Sequence, residues 1–197
     1  VRNDAQGVEI EVCGQPREVE RFTEKLRKDT PPLARIDTLT AKLTDSVEIP
    51  DDFYILDSRG GRAATMIGPD TVICRDCLHD LFDPEGRRWR YAFTNCARCG
   101  PRYTICRALP YDRERTSLKA FAMCNKCKAE YSKPEHRRLH AEGNCCPKCG
   151  PQLALLDAEG ERLIGDVIAN ALALLREGKI LAVKGPGGFH LVCDAHN

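Results

Sequence analysis

Four C-x-x-C pairs constrain this chain more than any other feature: Cys74/Cys77, Cys96/Cys99, Cys124/Cys127 and Cys146/Cys149. Eighteen residues separate Cys77 from Cys96, and eighteen separate Cys127 from Cys146. That is the spacing of a four-thiolate zinc site, in which each tight turn presents two sulfurs to one ion at about 2.3 Å. A shift of fifty residues lays the second set of pairs on the first. It also lays Pro134-Glu135 on Pro84-Glu85, Arg137-Arg138 on Arg87-Arg88, and Gly150-Pro151 on Gly100-Pro101. Chance cysteine spacing would not carry matched neighbours with it. The region therefore reads as two homologous modules, each holding one structural zinc ion through Cys74, Cys77, Cys96 and Cys99 or through Cys124, Cys127, Cys146 and Cys149. Gly100 and Gly150 close the second turn of each module, where a positive φ is expected.

Other uses of the cysteines fit less well. No basic start followed by an apolar core is visible, so a secreted, disulfide-bonded chain is not indicated. A redox-active C-x-x-C usually accompanies a βαβ pattern, which is missing around these pairs. Sequential pairing follows from the repeat, because each module carries a full ligand set; cross-bracing keeps the metal count and stays open. Cys13, Cys106, Cys145 and Cys193 fall outside the ligand pattern and read as free thiols. His136 and His140 align with Gly86 and Arg90, so they are not repeated ligands and read as solvated surface. Replacing Cys96 or Cys146 by serine is expected to cost one zinc ion and local order.

Charge narrows the partners. With 30 basic against 29 acidic residues, the chain is no polycation for coating nucleic acid or membrane. Arg87, Arg88 and Arg90, interleaved with Trp89 and Tyr91, have the chemistry to contact phosphates and stack on bases. There is no dense basic run, and an ordinary solvated face is the favoured reading. The best apolar stretch, Val167 to Leu175, is far short of the roughly 20 residues that span a bilayer. The chain opens on Val1 rather than methionine and reads as a cut-out from something longer.

The flanks are α+β in pattern. Residues 8–12 alternate as a half-buried strand, 16–29 carry Val19, Phe22 and Leu26 at helical spacing, and 34–43 and 53–56 suit further strands. That β-α-β-β piece is too short to bury a full core alone. Ser58 to Thr65 has linker composition. Beyond the modules, Leu163, Val167, Ile168, Ala171, Leu172 and Leu175 form a helical stripe that Gly178 is placed to end. Two strands, 180–183 and 189–193, flank the glycine-rich turn Lys184 to Gly188. Such a turn can bring backbone N–H groups to a phosphate, but on these residues alone a tight hairpin is the better reading.

The combination resembles the HypF-type carbamoyltransferases that mature nickel–iron hydrogenases. The cysteine pattern carries the resemblance, together with Leu81-Phe82-Asp83-Pro84, Cys99-Gly100-Pro101-Arg102, Leu109-Pro110-Tyr111-Asp112-Arg113 and Cys149-Gly150-Pro151. The fold implied is α+β: a central, irregular double zinc-finger domain, four cysteines to each finger, flanked by partial acylphosphatase-like (ferredoxin-like) and partial YrdC-like α/β segments. The boundaries would be 1–57 for the first, 58–72 for a linker, 73–152 for the fingers (73–101 and 123–151), and 153–197 for the third.

By the same resemblance, Asn3 matches the asparagine that orients the attacking water in acylphosphatases. Lys184, Gly187, Gly188 and His190 match the nucleotide- and carbamoyl-binding opening of the YrdC-like domain. The intact protein would hydrolyse carbamoyl phosphate, form carbamoyl adenylate with ATP, and carbamoylate the C-terminal cysteine of a HypE-type partner, the source of a cyanide ligand. It would be cytoplasmic, without nucleic-acid or membrane partners. This stretch alone is expected to be inactive, a structural zinc module between two partial domains. A zinc-ribbon nucleic-acid module and a DnaJ-like chaperone zinc module are the alternatives.

Overall fold

A computed structural model describes residues 1–3, 7–30, 34–44, 52–57 and 66–197. Burial concentrates in the middle of the chain. Among the described residues, the buried apolar side chains all lie between Cys77 and Cys146. Tyr91, Ile105, Leu118 and Cys145 form one cluster, and Cys77, Cys96 and Cys99 another. These are small cores, of the kind that ordinarily need metal or disulfide support.

The N-terminal segment has strands β1 (Arg2–Asn3) and β2 (Val8–Glu9), antiparallel with Asn3 opposite Val8, followed by helix α1 (Pro16–Lys28). Pro16 starts α1 at the position where its missing N–H costs nothing. The strands expected at 34–43 and 53–56 do not form. A strand needs a neighbour along its ladder. Among the described residues, the backbone bonds of 53–56 to a distant segment go to the chain start, where the Val1 ammonium donates to the Tyr54 carbonyl and Leu56 N–H donates to the Val1 carbonyl, each at 2.8 Å. The expected linker, Ser58 to Thr65, lies outside the described residues.

The two modules are built alike. Cys74 caps helix α2 (Arg75–Phe82) and Cys124 caps helix α3 (Asn125–Ser132), with cap dihedrals of −76°/163° and −69°/164°. Each helix is followed by a run of tight turns. Gly86 N–H bonds the Asp83 carbonyl, and fifty residues on His136 N–H bonds that of Lys133, both at 3.0 Å. Arg90 and His140 share a rare positive φ, 55° and 45°, and their N–H groups return to the carbonyls of Leu81 and Tyr131. Between the modules, 3₁₀ turns Arg113–Arg115 and Ser117–Ala120 bury Thr116 and Leu118. Arg113 satisfies the carbonyls of Phe121, Glu142 and Asn144 at 2.7–2.9 Å.

Helix α4 (Val167–Arg176) starts later than the apolar stripe implied. Asp166 sets the start, because its carboxylate accepts from Ile168 and Ala169 N–H at 2.9 Å. Leu163 instead bonds the Leu155 carbonyl through its N–H. The end is as expected: Gly178 takes φ 79°. Its N–H bonds the Leu175 carbonyl and Lys179 N–H that of Leu174, a Schellman closure. Strands β3 (Leu181–Gly185) and β4 (Gly188–Val192) then form an antiparallel hairpin, Gly185 opposite Gly188. Among the described residues, no helix is long and apolar enough to cross a membrane.

Candidate metal centres

The helix caps place one sulfur pair of each module and the C-terminal turns place the other. Cys77 and Cys127 sit in the first turn of α2 and α3, fully buried. Cys96 to Cys99 and Cys146 to Cys149 close their turns through N–H bonds to the carbonyls of Cys96 and Cys146. The sulfurs meet in two groups, Cys74/Cys77/Cys96/Cys99 and Cys124/Cys127/Cys146/Cys149, each within 4.8 Å. The pairing is sequential, not cross-braced.

Neighbouring sulfurs are 3.6–3.8 Å apart in the pairs Cys74/Cys96, Cys96/Cys99, Cys124/Cys146, Cys146/Cys149 and Cys127/Cys149. A tetrahedron with metal–sulfur bonds of about 2.3 Å has edges of about 3.8 Å. Disulfide sulfurs would stand near 2.05 Å, and none of the twelve cysteines is disulfide-bonded. Four thiols this close cannot all ionise unaided. Sharing a proton with Cys96 and then burial push the Cys77 thiol far up, while the same contact draws Cys96 down to about 4. A bound dication removes that conflict by replacing the protons. The all-sulfur, tetrahedral donor set fits zinc, with no coordination position left for substrate.

Arg87 and Arg88, with their counterparts Arg137 and Arg138, do not form a solvated face; Arg90 and Trp89 are exposed as expected. The arginine pair of one module turns inward onto the sulfurs of the other. Arg87 donates to Cys127 Sγ from both Nη atoms at 3.4 Å, and Arg88 Nη2 lies 3.8 Å from it. Both arginines pair with Glu130 Oε2 at 2.6 Å, and Arg88 is only 3% exposed. In mirror fashion Arg137 Nη1 donates to Cys77 Sγ at 2.8 Å and Arg138 Nη2 approaches it at 3.9 Å, while both pair with Asp80. Burial would raise the Glu130 carboxyl, but the two guanidinium groups hold it down at about 2; Asp80 is likewise held below its ordinary range. The reason is chemical: thiolate-rich centres carry negative charge, and planar guanidinium forks answer it with several donors at once. Arg90 pairs with Asp166 at 2.9 Å.

These outer partners were missed from sequence, although a signal existed. The fifty-residue shift that matched the arginine pairs also lays Glu130 on Asp80. His136 accepts from Arg138 N–H and His140 packs on Tyr131 with ring centroids 4.7 Å apart, so neither joins a sulfur group. Cys145 stays outside too, although it is buried; the Tyr91 hydroxyl donates to its sulfur at 3.4 Å. Gly100 has φ 89° as expected. Gly150 does not take a positive φ: a Cβ there would meet the Tyr91 hydroxyl and Cys145 Sγ, so the constraint is space.

The remaining candidates lie elsewhere. Lys184, Gly187 and His190 share a cleft of about 1040 Å³ with Thr104, Ser117 and Cys145, and Gly188 is not on its lining. The Lys184 ammonium sits 5.2 Å from the Phe189 ring centroid. Asn3 is exposed on β1.

The HypF finger family matches residues 73–106 and 123–156, and the acylphosphatase family matches 1–55. Carbamoyltransferase HypF2 of Cupriavidus necator is 56% identical over all of this chain, which covers 25% of that protein. A probable carbamoyltransferase HypF of Methanocaldococcus jannaschii is 48% identical over 98% of the chain and 26% of its own length. The chain belongs to the HypF family. A crystal structure of full-length HypF in a phosphate- and nucleotide-bound form superposes on the whole chain with a TM-score of 0.91 at 39% identity, over 26% of its own length. The HypF of T. kodakarensis superposes with a TM-score of 0.85 at 43% identity, over all of this chain and 25% of that one. The chain thus spans about a quarter of the HypF proteins it matches. Its α+β make-up, with an acylphosphatase-like region and two four-cysteine fingers, is that of the family.

Proposed function

We propose that this chain is the zinc-stabilised part of a carbamoyltransferase that supplies a cyanide ligand during nickel–iron hydrogenase maturation. The observation that carries this reading is its 56% identity, over its full length, to a protein named carbamoyltransferase. The segments divide as 1–57, 58–72, 73–152 and 153–197. In the whole protein, carbamoyl phosphate gives carbamate and phosphate at an acylphosphatase-like site that includes Asn3. Carbamate and ATP then give carbamoyl adenylate and pyrophosphate at a YrdC-like site, to which Lys184, Gly187, Gly188 and His190 belong. The carbamoyl group then passes from the adenylate to the sulfur of the C-terminal cysteine of a HypE-type partner in the cytoplasm, with AMP as the leaving group. The eight cysteines of the two sulfur groups hold two zinc ions, and the closed tetrahedral sites give the ions a structural role.

The inward arginines favour this over a nucleic-acid module. Arg87, Arg88 and Arg90, the side chains with phosphate-binding chemistry, are engaged by Cys127, Glu130 and Asp166. The test uses the full-length protein that carries this sequence. With carbamoyl phosphate, ATP and the partner, mass spectrometry is expected to show a carbamoyl adduct on the partner's C-terminal cysteine. The Cys96→Ser variant should lose bound zinc and most of that adduct. Absence of any adduct with fully metallated wild type would sink the functional reading.

A further inference from the structure

We propose that the two metal centres load and release their ions as one coupled pair, because each is clamped by arginines of the other module. This rests on the zinc reading above. Each centre consists of two halves far apart in sequence, a helix-cap pair and a C-terminal turn. Arg88 holds both halves of the second centre. Its guanidinium reaches Cys127 Sγ and Glu130 on α3, while its Nε donates at 3.0 Å to the carbonyl of Cys145, next to the ligand Cys146. It also donates to Asn144 Oδ1 at 2.8 Å, and Asn144 in turn donates to the Cys127 carbonyl. Arg138 treats the first centre in the same way. It reaches Cys77 Sγ and Asp80 on α2, and its Nε donates at 3.0 Å to the carbonyl of Asn95, next to the ligand Cys96.

The clamps are wired back to the ligands of their own module. Tyr91 N–H bonds the Arg88 carbonyl and Thr94 N–H bonds that of Tyr91, two residues from Cys96. Fifty residues on, Ala141 N–H bonds the Arg138 carbonyl and Asn144 N–H bonds that of Ala141, two residues from Cys146. Losing the second ion therefore frees Cys127 and Cys146 to move apart, strips Arg88 of its partners, and shifts the turn that presents Cys96. The reverse path runs from Cys77 through Arg138 to Cys146. Arg88 and Arg138 are each 3% exposed, so water cannot take over their hydrogen bonds without opening the module interface. This is a contiguous network in which each centre biases the arrangement of the other.

Outer partners of metal ligands are worth roughly 10- to 100-fold in metal affinity. Two equal, independent sites place about half of the chains in the one-ion state at half saturation. Coupling of roughly 10- to 100-fold lowers that share to about a quarter or below. The experiment is a zinc titration of the metal-free chain followed by native mass spectrometry, with the Arg88→Lys/Arg138→Lys double variant alongside. The wild type should pass from no ion to two with the one-ion species at or below about a quarter. The double variant keeps both charges but lacks the planar fork, so it should still take two ions, with the one-ion share rising toward half. A wild type at half or above takes two ions independently, which overturns the coupling and leaves the zinc reading standing. A double variant with an unchanged one-ion share shows that the arginines do not carry the coupling and overturns the proposal. A chain that takes up no zinc overturns both readings.

Discussion

Two buried residues show how tightly this small core is specified. Gly150 lies where a Cβ would strike the Tyr91 hydroxyl and Cys145 Sγ. Gly150→Ala should therefore destabilise the metallated chain by about 1–3 kcal/mol in urea denaturation. Tyr91→Phe in the same molecule should recover part of that loss by removing the struck oxygen. Glu142 is 6% exposed and accepts hydrogen bonds from the Tyr131 hydroxyl on both oxygens at 3.0 Å. Burial outweighs those bonds and pushes its carboxyl up to about 7, with Asp112 adding to the shift and Arg113 opposing it. The folded value lies above the ordinary 4.5, so stability is greatest below that ordinary value and is lost as pH rises to about 7. The penalty is roughly 3 kcal/mol. Glu142→Gln should flatten the dependence of denaturation midpoint on pH between 5 and 8, and raise the midpoint at pH 8. A wild-type midpoint that climbs across this range would contradict the assignment.

The elements owe their limits to single residues at their ends. Helix α4 begins at Val167 because the Asp166 carboxylate takes two of its unpaired N–H groups. Asp166→Ala should remove about 1 kcal/mol from this helix. Since α4 buries no residue, the effect should appear as faster amide exchange at Ile168, Ala169 and Asn170 rather than as global unfolding. The modules work differently: their helices are short, and Cys74 and Cys124 cap them without a side-chain hydrogen bond. They hold their shape through sulfur groups, tight turns and cross-module arginines instead. At the N-terminal end, α1 matches its apolar spacing, whereas residues 34–43 do not become a strand. The helix satisfies its own backbone, but a strand depends on a partner outside itself.

For the molecule as a whole, the metal centres take the place of a larger hydrophobic core. Stripping the ions with a strong chelator should collapse the dispersion of backbone NMR signals across 74–150 while leaving α1 signals largely in place, since α1 buries no residue against the modules. Restored zinc should bring the signals back.

Sequence alone determined which cysteines gather in fours, the module repeat and the family, because thiolate–metal geometry confines four cysteines to a narrow set of spacings. It also gave the ends of α1 and α4 that rest on proline and glycine, whose dihedral limits are local. What only the tertiary structure decided is where the arginines go. From sequence, Arg87 and Arg88 read as a solvated face. In space they cross to Cys127 and Glu130, and Arg137 and Arg138 cross back to Cys77 and Asp80. The repeat marks Asp80 and Glu130 as equivalent positions, but not which module's arginines neutralise them. That choice is set by how two modules, forty to sixty positions apart along the chain, dock face to face.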